Sequence, residues 1–403
     1  MYSNLVIITV DALRADRVKP YGGKGITPVI DSLSDAATVF LNAVTPGNCT
    51  LPGHGAIFTG KYPKNNGMQL NGWRFNKRIR GIAKTFQENG FETCGNSSIE
   101  YMSSYLGFNR GYNTFFNNDP SVKYYALFSR FRLKVGRYTF RLINFLKKKG
   151  LFSIKPYKDP KKVTSEILPW LEKNKNKKFF LWTYFHGGHV DDKKEQEEIN
   201  RNADTEIGKI IAKIKSLGLM DKTLFVIAAD HGEGLNEHGK TGHGWSLYDE
   251  ELKVPLLFIG KGIPKKQIKK QVSLVNIFPT VLDYFGIKVK EDFDGKSLKK
   301  LIDGKDPLFK EDVFCENYPD HHKSFCLRTA YGYKLILNEN GTKEMYNLNA
   351  DPKEKKDLIK VEKDTAKKLL IQLNAWIKTG TRFEASQKRD ADIKESLKNL
   401  GYI

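Results

Sequence analysis

Acidic residues are in short supply: 46 Asp+Glu against 67 Lys+Arg leave a formal net charge of +21 over 403 residues. That deficit excludes an acidic solvating protein and points toward an anionic partner or substrate, although a solvated lysine-rich surface gives the same sum. Cysteine is scarcer still. Cys49, Cys94, Cys315 and Cys326 are scattered and form no C-x-x-C pair, which excludes a disulfide scaffold and finger-type zinc. No apolar run approaches the ~18 residues that span a bilayer. The apolar run 5–10 follows directly on 1–4, with no basic n-region and no small-residue cleavage site, so the expected compartment is the cytoplasm. There is no internal repeat. Disorder is excluded too, because 40% hydrophobic and 28% charged residues supply a core and a solvated surface.

What the chain does contain is short apolar runs alternating with helical patterns. The runs 5–10 (LVIITV), 179–185 (FFLWTYF), 224–229 (LFVIAA) and 254–259 (VPLLFI) are apolar on both faces and read as buried, mostly parallel strands. Helical patterns cover 28–37, 54–59, 81–89, 163–173, 195–217 and 275–285. The alternation predicts a doubly wound α/β sheet. From about residue 287 the pattern changes to short alternating runs, 313–317, 324–329, 333–337 and 343–348, with Asn340-Gly341 as a hairpin signal. A polar helix over 361–378 and a charged tail follow. Two units are therefore expected, 1–286 and 287–403. The stretch 123–162 interleaves basic residues with Phe, Tyr, Leu and Ile, and reads as a basic insertion from about 120 to 162. Packing its apolar side on the main sheet is the favoured reading. Contact with an anionic membrane or polyanion is the alternative.

Ligands of such sheets bind at the carboxyl ends of strands. Three of the four runs deliver Asp11, His186 and Asp230 there. An Asp at a strand end is ordinarily a turn residue; three such deliveries together suggest a site. Of the eight histidines, five (His186, His189, His231, His238, His243) lie between 186 and 243. In 229–234 (ADHGEG) a strand ends in adjacent carboxylate and imidazole, a donor pair for a divalent cation, with Asp11 able to add a third ligand. In 45–60 (TPGNCTLPGHGAIFTG) a loop leads into a helix, whose start suits an anion. Thr50 there is either an N-cap or a nucleophile that needs a base or a metal to become reactive.

The segments 4–16 (NLVIITVDALRAD), 50–63 (TLPGHGAIFTGKYP), 230–239 (DHGEGLNEHG), 247–257 (LYDEELKVPLL), 278–282 (FPTVL), 294–298 (DGKSL) and 345–352 (MYNLNADP), taken in order, resemble the sulfatase family of the alkaline phosphatase superfamily. The resemblance implies an alkaline-phosphatase-like α/β/α sandwich with a mostly parallel central sheet, plus a small C-terminal antiparallel sheet and helix. It implies that Asp11, Asp230 and His231 hold a divalent metal (Zn, Mn, Ca or Mg), with Thr50 as nucleophile touching it. His189 falls where relatives keep a substrate-contacting or second-metal histidine. His243 falls where sulfatases carry a substrate-binding lysine and phosphodiesterases a metal-binding histidine. A second metal site would draw on His189, His243 and His186, although the aspartate of the usual second-site pattern is replaced by Phe185.

One departure decides the chemistry expected. The sulfatase motif C/S-x-P-x-R begins with the residue that becomes formylglycine; here Thr50 and His54 hold the first and last positions, and Cys49 is one residue out of register. Threonine cannot yield that aldehyde, because its β-carbon carries a methyl group. The expectation is therefore hydrolysis of a phosphodiester or phosphomonoester through in-line attack by Thr50 and a covalent phospho-threonine. His54, His189 and His243 are candidates for proton transfer, and His54, Arg14 and Lys240 for binding substrate oxygens. The alternatives are sulfate- or phosphonate-ester hydrolysis without formylglycine, and an inactive polyanion- or membrane-binding relative. An anionic ester is the expected partner; no specific nucleic acid recognition is expected, and the oligomeric state is left open.

Overall fold

A computed structural model describes residues 2–117, 157–187, 193–318 and 323–380. The expectations placed on His189 and on most of the basic insertion lie outside these residues.

The central sheet has eight strands. Their order is Lys266–Ile268, Thr38–Phe40, Leu256–Ile259, Thr223–Ala229, Asn4–Val10, Phe179–Phe185, Glu92–Asn96, Thr114–Phe116. The last five run parallel. The three central ones, Thr223–Ala229, Asn4–Val10 and Phe179–Phe185, are buried at every position. Burial on both faces explains why their sequences read as continuous apolar runs, not alternating ones. Two groups of helices supply the cover: Pro28–Ser34, Pro160–Asn174 and Lys193–Ser216 pack together, as do Thr50–Thr59, Ile82–Glu88 and Ile277–Phe285. The α/β sandwich with a mostly parallel sheet is the observed fold.

The run 254–259 departs from expectation. Pro255 divides it into Lys253–Val254, which joins a separate three-stranded sheet, and Leu256–Ile259, which pairs antiparallel with both neighbours. A proline has no N–H for a ladder, so the strand is broken there.

Register places the site. Val10 pairs with Phe185 on one side and with Ala229 on the other. The next residues, Asp11, His186 and Asp230, therefore leave the sheet side by side.

The C-terminal sheet is antiparallel in sequence order: Val313–Asn317, Ser324–Arg328, Tyr333–Asn338, Lys343–Asn347. Helix Lys363–Lys378 covers it, setting Ala366, Leu369 and Leu373 on Leu327, Leu335 and Met345. A buried charge network ties this sheet to the short helix Asp249–Leu252. Lys334 is fully buried, with Nζ 2.9 Å from Asp249 and 2.7 Å from Glu354. Arg328 reaches Asp249 at 2.9 Å. Removing one member of a buried ion pair leaves an uncompensated charge, so Lys334→Ala is expected to destabilise the fold by about 3–5 kcal/mol. Urea unfolding curves measure this, read from a midpoint shift at unchanged slope.

Among the described residues no helix is long and apolar enough to cross a membrane. Of the basic insertion, only 157–162 is described. There Lys158 is buried and bound to Asn96, Glu166 and the Phe116 carbonyl, and Tyr157 stacks on His186 with ring centroids 4.1 Å apart.

Candidate active site

Asp11, Asp230 and His231 are fully buried, and each offers a ligand atom within 4.8 Å of the others. Among the described residues they form the one such group. Backbone geometry aims each of them. Asp230 Oδ1 accepts the N–H of Ala12 at 3.2 Å and of His231 at 2.9 Å, which leaves Oδ2 turned inward, 3.8 Å from His231 Nε2. His231 Nδ1 lies 2.7 Å from the Gly232 carbonyl. A carbonyl only accepts, so Nδ1 carries the proton and donates it. Nε2 then turns toward Asp11 Oδ1 at 3.3 Å and Thr50 Oγ1 at 3.3 Å.

This arrangement fits a divalent cation. Two buried carboxylates converge with an imidazole nitrogen whose partner nitrogen is already committed as a donor. Without a cation, such carboxylates would be desolvated and would repel each other. Oxygen and nitrogen donors of this kind suit several divalent metals.

Thr50 is the first residue of its helix, and Cys49 is the N-cap. The N-cap reading of Thr50 is thus corrected: its hydroxyl faces His231 and the Tyr101 hydroxyl, 3.4 Å away. The helix start offers less to an anion than its dipole suggests. The Leu51 N–H donates to Asn71 Oδ1 at 2.9 Å, and Pro52 has none. Gly53 allows the close approach. A Cβ there would lie 2.3 Å from the Asp230 carbonyl oxygen, so Gly53→Ala must push the helix off the Asp230 turn. The expected result is a loss of about 1–3 kcal/mol of stability together with reduced turnover, read from thermal melts and initial rates.

His54 is placed differently from expectation. It is fully buried, with Nδ1 2.9 Å from the Thr50 carbonyl and Nε2 2.9 Å from Thr9 Oγ1, while Trp182 Nε1 donates to that same Oγ1 at 3.1 Å. Phe58, Trp182 and Tyr184 surround its ring. Burial pushes its pKa down to about 4, so it is neutral near pH 7. Both nitrogens are engaged and the ring has no exposure; with Nδ1 also 3.4 Å from Asp230 Oδ2, it braces Thr50 and Asp230.

His186 Nδ1 lies 2.9 Å from Asp11 Oδ2, the oxygen turned away from His231. His243 stacks on His231 at 4.3 Å between centroids, with Nδ1 3.1 and 3.3 Å from the two Glu233 oxygens. The two histidines thus flank the ligand trio through different members. Arg14 is spent elsewhere: it donates twice to Asp16 (3.0 and 2.8 Å) and to the Glu233 carbonyl (2.8 Å), and pairs with Glu237 at 2.6 Å. That fork holds the 233–237 turn, with all three guanidinium nitrogens engaged. Lys240 is exposed and donates to the Trp245 carbonyl at 3.2 Å. His238 stacks on Tyr248 and faces Glu250 at 2.6 Å, outside the Asp11–Asp230–His231 group.

Sequence reasoning missed Tyr101, Tyr184 and Glu233. Burial and the neighbouring Asp11 and Asp230 hold the Tyr184 phenol well above its ordinary pKa. Tyr184 lies within the run 179–185 and could have been noticed by its position one residue short of the strand end. Tyr101 sits on a short turn with no local signature.

Comparison with known proteins gives the family of the chain. The sulfatase family profile matches residues 3–287, and that of the C-terminal part of N-sulphoglucosamine sulphohydrolase matches 237–380. Arylsulfatase K of Bos taurus is 33% identical over 167 residues, 38% of this chain and 30% of that protein. The N-acetylglucosamine-6-O-sulfatase of Bacteroides thetaiotaomicron is 30% identical over 210 residues, 48% of this chain and 36% of that protein. The matched stretch thus spans only about a third of those relatives' own lengths. In fold, the phosphonate monoester hydrolase of Silicibacter pomeroyi superposes with a TM-score of 0.74 at 16% identity, covering 95% of this chain and 96% of that one. With a family profile covering most of its length and the Asp–Asp–His cluster at the ends of its central strands, the chain belongs to the sulfatase family.

Proposed function

We propose that the chain hydrolyses an anionic ester of the sulfuric or phosphonic type, with Thr50 as the attacking group. The observation that carries this is the Thr50 hydroxyl 3.3 Å from His231 Nε2, inside the buried Asp11–Asp230–His231 cluster. The relatives' names, sulfatases and a phosphonate monoester hydrolase, support that ester class. A divalent cation held by Asp11, Asp230 and His231 would offset the charge on the substrate's non-bridging oxygens and lower the pKa of the Thr50 hydroxyl.

The protein's own groups account for the rest. Asp230 is fixed by two backbone N–H donors and His231 by the Gly232 carbonyl, so neither reorganises when substrate enters. The Thr50 hydroxyl gives up its proton to solvent and Oγ1 attacks sulfur or phosphorus in line; the Oγ1–S or Oγ1–P bond forms as the bond to the alcohol oxygen breaks, and water then cleaves the Thr50 ester, releasing sulfate or the phosphonate and restoring the hydroxyl. His243, oriented by Glu233, is the group suited to protonate the leaving oxygen. His189 remains a proposed substrate contact, and the 123–162 stretch a proposed polyanion contact.

A second reading is phosphate-ester hydrolysis through phospho-threonine. The identity of residue 50 favours it, because a threonine cannot become formylglycine and an alkoxide is a natural nucleophile toward phosphorus. Kinetics of one preparation on p-nitrophenyl sulfate, a phenyl phosphonate monoester, p-nitrophenyl phosphate and its phenyl diester separate the two. The first reading expects the highest kcat/KM on the sulfate or phosphonate. A clear phosphate preference moves the assignment to the second.

A further inference from the structure

The motif 247–257 contains a carboxylate that the chemistry above does not use. Glu251 is 1% exposed, on the short helix Asp249–Leu252. Its side chain accepts from donors on two separate segments. Oε2 takes the Asn48 amide at 2.8 Å and the Gly244 N–H at 2.9 Å; Oε1 takes the Ser246 hydroxyl. Asn48 also donates to the Ser246 carbonyl at 2.6 Å, and Asn317 Nδ2 to the Gly244 carbonyl at 2.9 Å. Behind the side chain, the Glu251 carbonyl accepts the Gly232 N–H at 2.8 Å and the Glu250 carbonyl the Glu233 N–H at 2.9 Å.

These partners have a common meaning. Asn48 lies two residues before Thr50. Gly244 and Ser246 follow His243. Gly232 follows His231. We infer that Glu251 is a positioning residue that locks the nucleophile loop, the His243 loop and the metal turn into one register. This role rests on the site reading above but is a separate claim. The Asn48 amide and the Gly244 N–H can only donate, so Oε2 must accept from both, while the Ser246 hydroxyl donates to Oε1 here and is able to accept instead. Glutamine has the same shape, and with its oxygen on Asn48 and Gly244 its NH₂ must reverse the Ser246 bond, while the negative charge that strengthens all three hydrogen bonds is lost. Burial raises the Glu251 carboxyl to about 7, and the three donors work against that rise by favouring its ionised form.

A readout independent of turnover exists. Trp245 sits between the two clamped residues and is 56% exposed, the one tryptophan among the exposed large apolar residues. Acrylamide quenching of tryptophan fluorescence therefore reports chiefly on this loop. The test compares Glu251→Gln and Asn48→Ala with the unaltered protein in the same metal-loaded buffer. Supporting groups around metal sites are worth about 10–100-fold, so Glu251→Gln is expected to lower kcat by roughly 30-fold with KM changed less than about threefold. Metal content should stay the same and Trp245 quenching should rise. Asn48→Ala should act in the same direction, and the double variant should be no worse than Glu251→Gln, since the two act as one unit. Unchanged kcat and quenching in Glu251→Gln overturn the inference, as does a kcat loss that tracks lost metal or lost folded protein. If the unaltered protein turns over none of the esters, the site reading fails, and the quenching of the two variants alone decides the clamp.

Discussion

Thr50→Ala is expected to lower kcat by roughly 10⁴-fold while leaving the fold in place, the scale of loss seen when a nucleophile is deleted and binding groups remain. The side chain is fully buried, but its hydroxyl makes only long contacts, 3.3 Å to His231 and 3.4 Å to Tyr101. Its loss should therefore cost stability only about 1 kcal/mol. Catalysis and folding thus separate cleanly at this residue. Thr50→Ser keeps the oxygen at the same place on the helix and should keep turnover within about tenfold. Initial rates on the best ester, with thermal melts alongside, check both variants. Intact-mass measurement during turnover adds a second view: an adduct on the unaltered protein and on the serine variant, none on the alanine variant. Alanine turnover within about tenfold of the unaltered rate would remove Thr50 from the chemistry.

Asp230→Asn should lower activity by roughly 10³-fold, corresponding to the several kcal/mol of charge stabilisation a bound cation supplies. The substitution is selective. An asparagine oxygen can still accept from Ala12 and His231, as Asp230 Oδ1 does, so the turn keeps its shape. What changes is the inward atom, where an anionic oxygen 3.8 Å from His231 Nε2 becomes an NH₂. Elemental analysis should show the metal reduced well below one equivalent. The same change relieves the crowding of two buried carboxylates. Metal-stripped Asp230→Asn should therefore melt higher than the metal-stripped unaltered protein, while the order reverses when metal is added. Equal metal content in the two proteins would show that Asp230 is not a ligand.

The effects expected at Glu251, Gly53 and Lys334 are smaller because each acts through other groups. They also mark what was hard to read beforehand. Gly53 lies in a motif that drew notice for Thr50 and His54, yet its own importance comes from the Asp230 carbonyl, more than 170 positions away. Glu251 sits in a motif with no obvious chemistry, and only the folded chain shows its three donors.

The sequence by itself determined the central strands and the polar residues that follow them. Strands buried on both faces must be continuously apolar, and a polar residue directly after such a run must sit at the strand end, so Asp11, His186 and Asp230 could be found without coordinates. The C-terminal hairpins followed from alternation and from Asn340-Gly341. Tertiary structure decided the direction of Leu256–Ile259, because parallel and antiparallel buried strands share one composition. It also decided which polar side chains are already engaged by other parts of the chain. Near Thr50, His54 looked like a substrate ligand, and near Asp11, Arg14 looked like an anion clamp. Folding engages both ring nitrogens of one and three arms of the other. Side-chain type is written locally, whereas the partners that use up its donors and acceptors arrive from distant segments, and those partners determine what remains for substrate.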